Sequence, residues 1–402
     1  MPQVFSTGWL YLFMIVMVVS LVRICLKVRT LNQGPQMDRS VVRLAPVKKD
    51  APDLGGKDES AGILAGPDAL IRDGDFSRAI GELESMLPDL SPVEDREVRG
   101  QALYRLGACR RRMAAPGDGK RERLKAGEAL REAVTLLKPE RFRVHYLRAL
   151  SELAALYEEL AGIQGQLENL NLALRAWDTA AEAARRSSWL DEEVRFLTRK
   201  AGVLRKLADH SDRQASLRKA VETYEQAAAV LEAIEDTETL LNRAGILKMA
   251  GDALTELADV FDKEKTLARA LSAYDRALEI MTPEENPVQR GVTLADAGRV
   301  LLGLYDIERS PALLSRAVRT IRDSLELLKQ DDQAARRGMV MALMARALTR
   351  YAEVREPREN LQRAVTLFET AMGILKEPQY APERERIKGE LREAVAKLGA
   401  ES

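Results

Sequence analysis

The sequence predicts an all-α chain of repeated helical hairpins, and three observations carry that reading. Of 402 residues, 46% are hydrophobic and 31% charged but only 5% aromatic, and Ala, Leu, Glu and Arg dominate, which is the composition of long packed helices rather than sheets. A motif of the form Leu-x-x-Ala-x-x-x-aromatic-x-x-Ala is clearest as LRKAVETYEQA from Leu217 and LARALSAYDRA from Leu267. Related segments start at Phe76, Leu124, Leu170, Leu314 and Leu361, so successive copies lie 48, 46, 47, 50, 47 and 47 residues apart. A constant period of this size marks a stacked array.

Each motif places its apolar residues three and four apart, the spacing of one helix face. A second apolar-periodic segment precedes each of the last five copies, with landmarks Leu153, Ala154 and Tyr157; Lys200, Ala201 and Leu204; Ala250, Gly251 and Leu254; Ala297, Gly298 and Leu301; and Met344, Ala345 and Leu348. The third landmark always lies 16 residues before the first Ala of the following motif. That constancy predicts paired helices joined by a loop of fixed length, read as HSDRQ, DKEKT, ERSP and EPREN. Ala or Gly should stand where the two helices approach most closely, with the aromatic filling the space beside it.

These residues resemble the tetratricopeptide repeat (TPR), which places a Leu-Gly/Ala pair and an aromatic on its first helix and Ala, an aromatic and Ala on its second. ALIRDGDFSRAIGELESML, from Ala69 to Leu87, is the nearest match: the Gly74-Asp75-Phe76 turn and Ala79 stand at the family's spacing, and Pro67 suits a helix N-terminus. The later copies carry seven more residues between the two helices' signature positions, so they resemble an elongated variant of about 47 residues. The Leu124 copy is degenerate, with Gly127 and Arg131 at family positions. The resemblance implies a helical-hairpin solenoid of about seven repeats over residues 61–377. Pro378 and Pro382 interrupt the pattern, and ERERIKGELREAVAKL within residues 378–402 reads as an amphipathic capping helix, or alternatively as a partner-docking helix.

Residues 1–29 read as a single-pass transmembrane anchor. Gly8 to Val22 is an unbroken low-polarity run, and Thr7 to Leu26 spans roughly 30 Å as a helix. Trp9 and Tyr11 would lie at one interface, while Arg23 and Lys27 would lie at the other. No Lys or Arg precedes Arg23, which argues against a secretory signal. Residues 1–50 hold seven Lys/Arg against two Asp, all the cations following the apolar run, so the positive-inside rule puts the N-terminus outside and the repeats in the cytoplasm, most simply at a bacterial inner membrane. Residues 30–60, rich in Pro, Gly, Asp and Lys, read as a flexible linker. The membrane-anchored assembly factors of bacterial envelopes have a similar layout.

Little in the chain suggests chemistry. His145 and His210 have no His or Cys at metal-ligand spacing, and Cys25 and Cys109 form neither a CxxC pair nor a disulfide framework. Cys109 in RLGACRRRM reads as a packed small residue, although its basic neighbours could lower its pKa. GDGKRER from Gly117 lacks phosphate-loop spacing. Removing the N-terminal fifty residues leaves 55 Lys/Arg against 60 Asp/Glu, with no basic stripe for nucleic acid. The expectation is a protein that is not an enzyme, carries no cofactor or metal, and binds other proteins.

The resemblance implies a concave groove lined by first helices that holds peptides or partner helices. Family register places Arg148, Glu158, Thr198, Arg205, Lys248, Asp252, Thr255, Arg299, Arg346 and Thr349 there. One subfamily grips acidic chaperone tails through a Lys/Asn/Arg clamp. Its positions here carry Ala155 with Glu158, Gly202 with Arg205 and Asp252 with Thr255, so that function is not expected. The reading is a membrane-tethered scaffold or adaptor in the assembly of a membrane-associated complex. The alternative is a receptor or regulator that holds transient client proteins at the membrane surface.

Overall fold

The computed structural model describes residues 60–114, 119–234, 236–329 and 333–400. The expected anchor with Trp9, Tyr11, Arg23 and Lys27, and the linker after it, lie outside the described residues. Among those residues the regular elements are all helical. A short turn, Ser60–Ile63, precedes α1 (Ala65–Asp73) and α2 (Phe76–Met86). Six longer hairpin pairs or their closing helix follow: α3 (Arg96–Met113), α4 (Lys120–Leu136), α5 (Arg143–Ala161), α6 (Gln166–Arg186), α7 (Leu190–Leu207), α8 (Arg213–Val230), α9 (Thr237–Leu257), α10 (Lys263–Ile280), α11 (Pro287–Glu308), α12 (Pro311–Leu327), α13 (Ala334–Tyr351), α14 (Pro357–Ile374) and α15 (Ala381–Ala400). Among the described residues no helix is long and apolar enough to cross a membrane.

The helix boundaries follow local chemistry. Asp75, Asp212, Asp236 and Asp262 cap α2, α8, α9 and α10 by accepting a backbone N–H three residues on. Pro287, Pro311 and Pro357 open α11, α12 and α14 at the position where a missing N–H costs nothing. Consecutive helices pack antiparallel in a stack. In addition α3 touches α5, α9 touches α11, α11 touches α13 and α13 touches α15, so the first helices of neighbouring hairpins are brought together on the inner side.

Inside each hairpin the close-approach rule holds. Ala154, Ala201 and Ala345 are fully buried, and their partners Trp177, Tyr224 and Phe368, each 23 residues on, are almost fully buried. Gly251 faces Tyr274 so closely that an added Cβ would meet ring carbons at 2.6 to 2.9 Å, and Gly298 faces Ile321 in the same way. The second-helix alanines Ala79, Ala173, Ala220, Ala270, Ala317 and Ala364 are all 0% exposed.

One register expectation is corrected. In α4 the buried positions are Arg123, Ala126, Leu130 and Ala133, while Leu124 is 44% exposed. The copy therefore begins at Arg123 and not Leu124, and the period becomes 47 residues throughout, except for 50 between Leu217 and Leu267. Arg123 fills the leucine site with its aliphatic stem. Its guanidinium ends against the Glu159 carboxylate (3.3 Å) and the Ala114 carbonyl (3.3 Å). Gly107 then faces Leu130, again 23 residues on.

A second periodic device joins hairpin to hairpin. Arg99, Arg290 and Arg384, in the first turns of α3, α11 and α15, reach back to carbonyls that the preceding second helix leaves free. Arg99 donates to the carbonyls of Leu87 (2.8 Å) and Leu90 (3.0 Å), and Arg290 to those of Leu278 (2.6 Å) and Met281. Arg243 and Arg337 share the register, but the guanidinium of Arg243 reaches the Glu232 carboxylate instead. An Arg290→Met substitution is expected to destabilise by about 2 kcal/mol, since it removes charge-assisted hydrogen bonds and strands two carbonyls. A urea titration beside the wild type measures it.

α15 repeats the first-helix register once more. Ile387, Leu391 and Ala394 stand 47 residues after Val340, Met344 and Ala347 and pack on the last hairpin. At the close-approach position, 47 residues after Ala345, stands the exposed Arg392. A guanidinium there leaves no room for a further second helix.

Candidate binding surface

On the inner side, charged residues meet from helix to helix, and a cross-repeat ion pair occurs at every junction of first helices. Arg105 on α3 grips Asp68 on α1 with two bonds (2.6 and 3.0 Å). Arg111 on α3 binds both Glu152 (2.7 Å) and Glu159 (2.5 Å) on α5, and Lys206 on α7 binds Glu158 on α5 (2.5 Å). Arg205 on α7 pairs with Glu256 on α9 (2.5 Å), Lys248 on α9 with Asp296 on α11 (3.0 Å), and Arg350 on α13 with Asp306 on α11 (2.7 Å). Lys397 on α15 completes the series by pairing with Glu353 at the end of α13 (3.0 Å). An exposed pair of this kind contributes only about 0–1 kcal/mol. A continuous series nevertheless fixes how one repeat sits on the next.

The centre of this surface is a buried network. Lys248 is 3% exposed and its ammonium lies between Asp252 (2.9 Å) and Asp296 (3.0 Å). The Tyr274 hydroxyl donates to Asp252 (2.8 Å) and lies 3.4 Å from the Thr255 hydroxyl. Burial opposes the charge on Lys248, but Asp296 and then Asp252 outweigh it and hold the ammonium above its usual value. Burial, followed by the same two carboxylates, pushes the Tyr274 phenol well up.

The residues expected in the groove therefore divide into several groups. Arg148 is exposed on α5. Glu158 is engaged twice, accepting from Lys206 and from the Trp177 indole (2.9 Å). Arg205, Asp252 and Thr255 lie on the inner surface within the contacts just described, and Arg299 pairs with Asp296 (2.7 Å). Arg346 binds Glu390 (2.7 Å) and Glu383 (2.9 Å) of α15, and the Thr349 hydroxyl donates to the Ala345 carbonyl (2.9 Å). Two positions differ from expectation. Thr198 is 8% exposed with its hydroxyl donated to the Val194 carbonyl, and Lys248 is buried, because that register turns into the seam between first helices.

Arg195 and Arg199 on α7 were not anticipated. Arg195 packs over the Phe196 ring (4.9 Å) with its side chain 41% exposed, and Arg199 is exposed. Burial and then, against the pull of Glu192, the charges of Arg199 and Arg148 lower the Arg195 pKa, which places the three guanidinium groups within electrostatic reach of one another.

Cys109 is fully buried, and burial pushes its thiol up to about 11 despite Arg112. Among the described residues no group of three or more His, Cys, Asp and Glu is arranged to hold a metal ion. The folded pKa values of Cys109, Tyr274 and Lys248 all lie above their ordinary 9.0, 10.0 and 10.5, so each stabilises the fold below that value and loses the contribution as pH rises through its folded pKa. The urea midpoint is expected to fall steadily above about pH 9. In a Cys25→Ser background, the remaining thiol is expected to react with an aromatic disulfide reagent only as fast as the protein opens. Rapid reaction at pH 8 of the folded protein would contradict both statements.

No protein-family model matches the chain, and no curated protein matches it. Solved structures do. The C-terminal part of a TPR repeat-containing protein from Cytophaga hutchinsonii is similar over 80% of this chain and 98% of its own, with 12% identity and a TM-score of 0.50. The chain thus has a TPR-like helical-repeat fold. The apo quorum sensor NprR from B. thuringiensis aligns over 84% of this chain and 87% of its own (12% identity, TM-score 0.37). A Rap protein complexed with competence and sporulation factor aligns over 86% and 99% (12% identity, TM-score 0.34).

Proposed function

We propose that the chain is a membrane-tethered scaffold, an elongated variant of the TPR, that holds a protein partner on the inner face of its repeat stack during assembly of a membrane-associated complex. The observation that supports this reading best is the unbroken run of cross-repeat ion pairs from α1 to α15, which sets the curvature of the inner face before a partner arrives. A surface shaped in advance loses little freedom on binding. Tethering rests on the apolar run Gly8 to Val22 and the cations that follow it. They favour an N-terminus outside and repeats in the cytoplasm.

Affinity purification of the full chain from native membranes tests the reading. A partner enriched over a fragment carrying only residues 1–60 supports it, and no enrichment counts against it. Partner lifetime separates a scaffold from a receptor, since a scaffold's partner stays bound through a chase and a client leaves. A reporter fused at Ser402 tests the topology, and activity on the outer side of the membrane overturns the cytoplasmic placement.

A further inference from the structure

The ion-pair series has one place where its cations are unmatched. Arg199 occupies the register of Arg105, Glu152 and Asp296, which lie 47 or 50 residues apart along the series and are each locked into a cross-repeat pair. The carboxylate that might serve Arg199 is Glu152 on α5, one register step away, and it is already held by Arg111 (2.7 Å) and Arg112 (3.2 Å) from α3. Where α9 carries Lys248, α7 carries the buried Thr198, so the series bypasses this level of α7 and resumes at Arg205 and Lys206. Among the described residues neither Arg148 nor Arg199 has an ion pair, and Arg195 has only Glu192 at 3.8 Å.

The three arginines form a compact group. Arg195 and Arg199 are four residues apart on one helix face, and Arg148 stands at the register of Arg195 on the neighbouring first helix, roughly 10 Å away at ordinary helix packing distances. The phenol of Tyr104 lies within the field of Arg148. Three guanidinium groups held this close without counter-charge repel one another, and an anion relieves that repulsion.

We propose that Arg148, Arg195 and Arg199 dock an acidic segment of a protein partner, each guanidinium receiving a side-chain carboxylate. The inference rests on the protein-binding reading above and gives it a chemistry. A spacing of roughly 10 Å corresponds to about three residues of extended chain, so the segment carries Asp or Glu at i and i+3. A bilayer is the wrong shape, because the group lies on the inner side of a curved stack that a flat surface does not enter. A nucleic-acid backbone would run from the arginines onto Glu158, Asp252 and Asp296, whose charge repels phosphate. The group also sits away from the chaperone-tail clamp positions, where Ala155 and Gly202 offer nothing to a carboxylate.

The test uses the full chain in detergent and a fluorescent peptide with Glu at i, i+3 and i+6, read by anisotropy at low salt. The wild type is expected to bind this peptide and not its Gln counterpart, with affinity falling as salt rises. Arg148→Gln/Arg199→Gln changes two exposed, unpaired side chains and so should melt like the wild type, yet is expected to bind roughly a hundredfold more weakly, a factor of ten for each lost charge-assisted contact. Adding Arg195→Gln should abolish binding. Equal binding by wild type and double variant, equal binding of Glu and Gln peptides, or binding of phosphatidylglycerol vesicles in preference to the peptide overturns the proposal. If the peptide fails while affinity purification still recovers a partner, this site falls and the scaffold reading stands.

Discussion

A Lys248→Ala chain is expected to lose about 3–5 kcal/mol of stability, the effect of removing one partner from a buried ion network. The ammonium is 3% exposed and neutralises Asp252 and Asp296 from adjoining repeats, while Asp252 also holds the Tyr274 hydroxyl. Without Lys248, two carboxylates face each other in the seam between α9 and α11. Urea denaturation at pH 7 gives the size of the loss, and the chain carrying Asp252→Asn and Asp296→Asn as well is expected to recover much of it. A single variant as stable as the wild type would show that the network contributes nothing net.

Gly251→Ala is the second large effect, at about 2–3 kcal/mol destabilising. From the repeat pattern alone alanine looks harmless, since Ala154, Ala201 and Ala345 occupy the same register in other hairpins. In the fifth hairpin, however, the Tyr274 ring lies against the glycine, and an added Cβ would meet three ring carbons within 2.9 Å. The ring is 0% exposed and its hydroxyl is tied to Asp252, so it has nowhere to retreat. Gly389 is the matched control. It is exposed within α15 with no atom near its Cβ position, and Gly389→Ala should stabilise by about 0.5–1 kcal/mol through helix propensity alone. Thermal melts of both variants, moving in opposite directions, are the expected result.

The hairpins and their period were legible because helix packing dictates residue type. A close helix approach admits only Ala or Gly, and the gap beside it requires a large side chain, so the pattern is written at fixed intervals. The misplacement of α4 has the converse cause. Arg123 does a leucine's packing with its stem, and the motif search settled on the exposed Leu124 one residue later. The clasp arginines were within reach of the same search, since Arg243, Arg290, Arg337 and Arg384 recur every 47 residues. The ion-pair series was not, because its members alternate in sign and identity at one register, as Arg105, Glu152, Arg199 and Asp296 do. Which charge finds a partner depends on the neighbouring helix. For the same reason the register picked out Arg148 but gave no sign that Arg195 and Arg199 join it, nor that Lys248 is buried.

Arg392 has a consequence for how such a chain grows. Every earlier junction in the elongated array presents the same small residue to the next helix, so a unit duplicated before residue 381 meets a compatible neighbour on both sides. At α15 that compatibility stops, and a unit added there would find a cation where it needs a hole. Copy number is thus a property of one side chain, and the array lengthens by insertion rather than by extension.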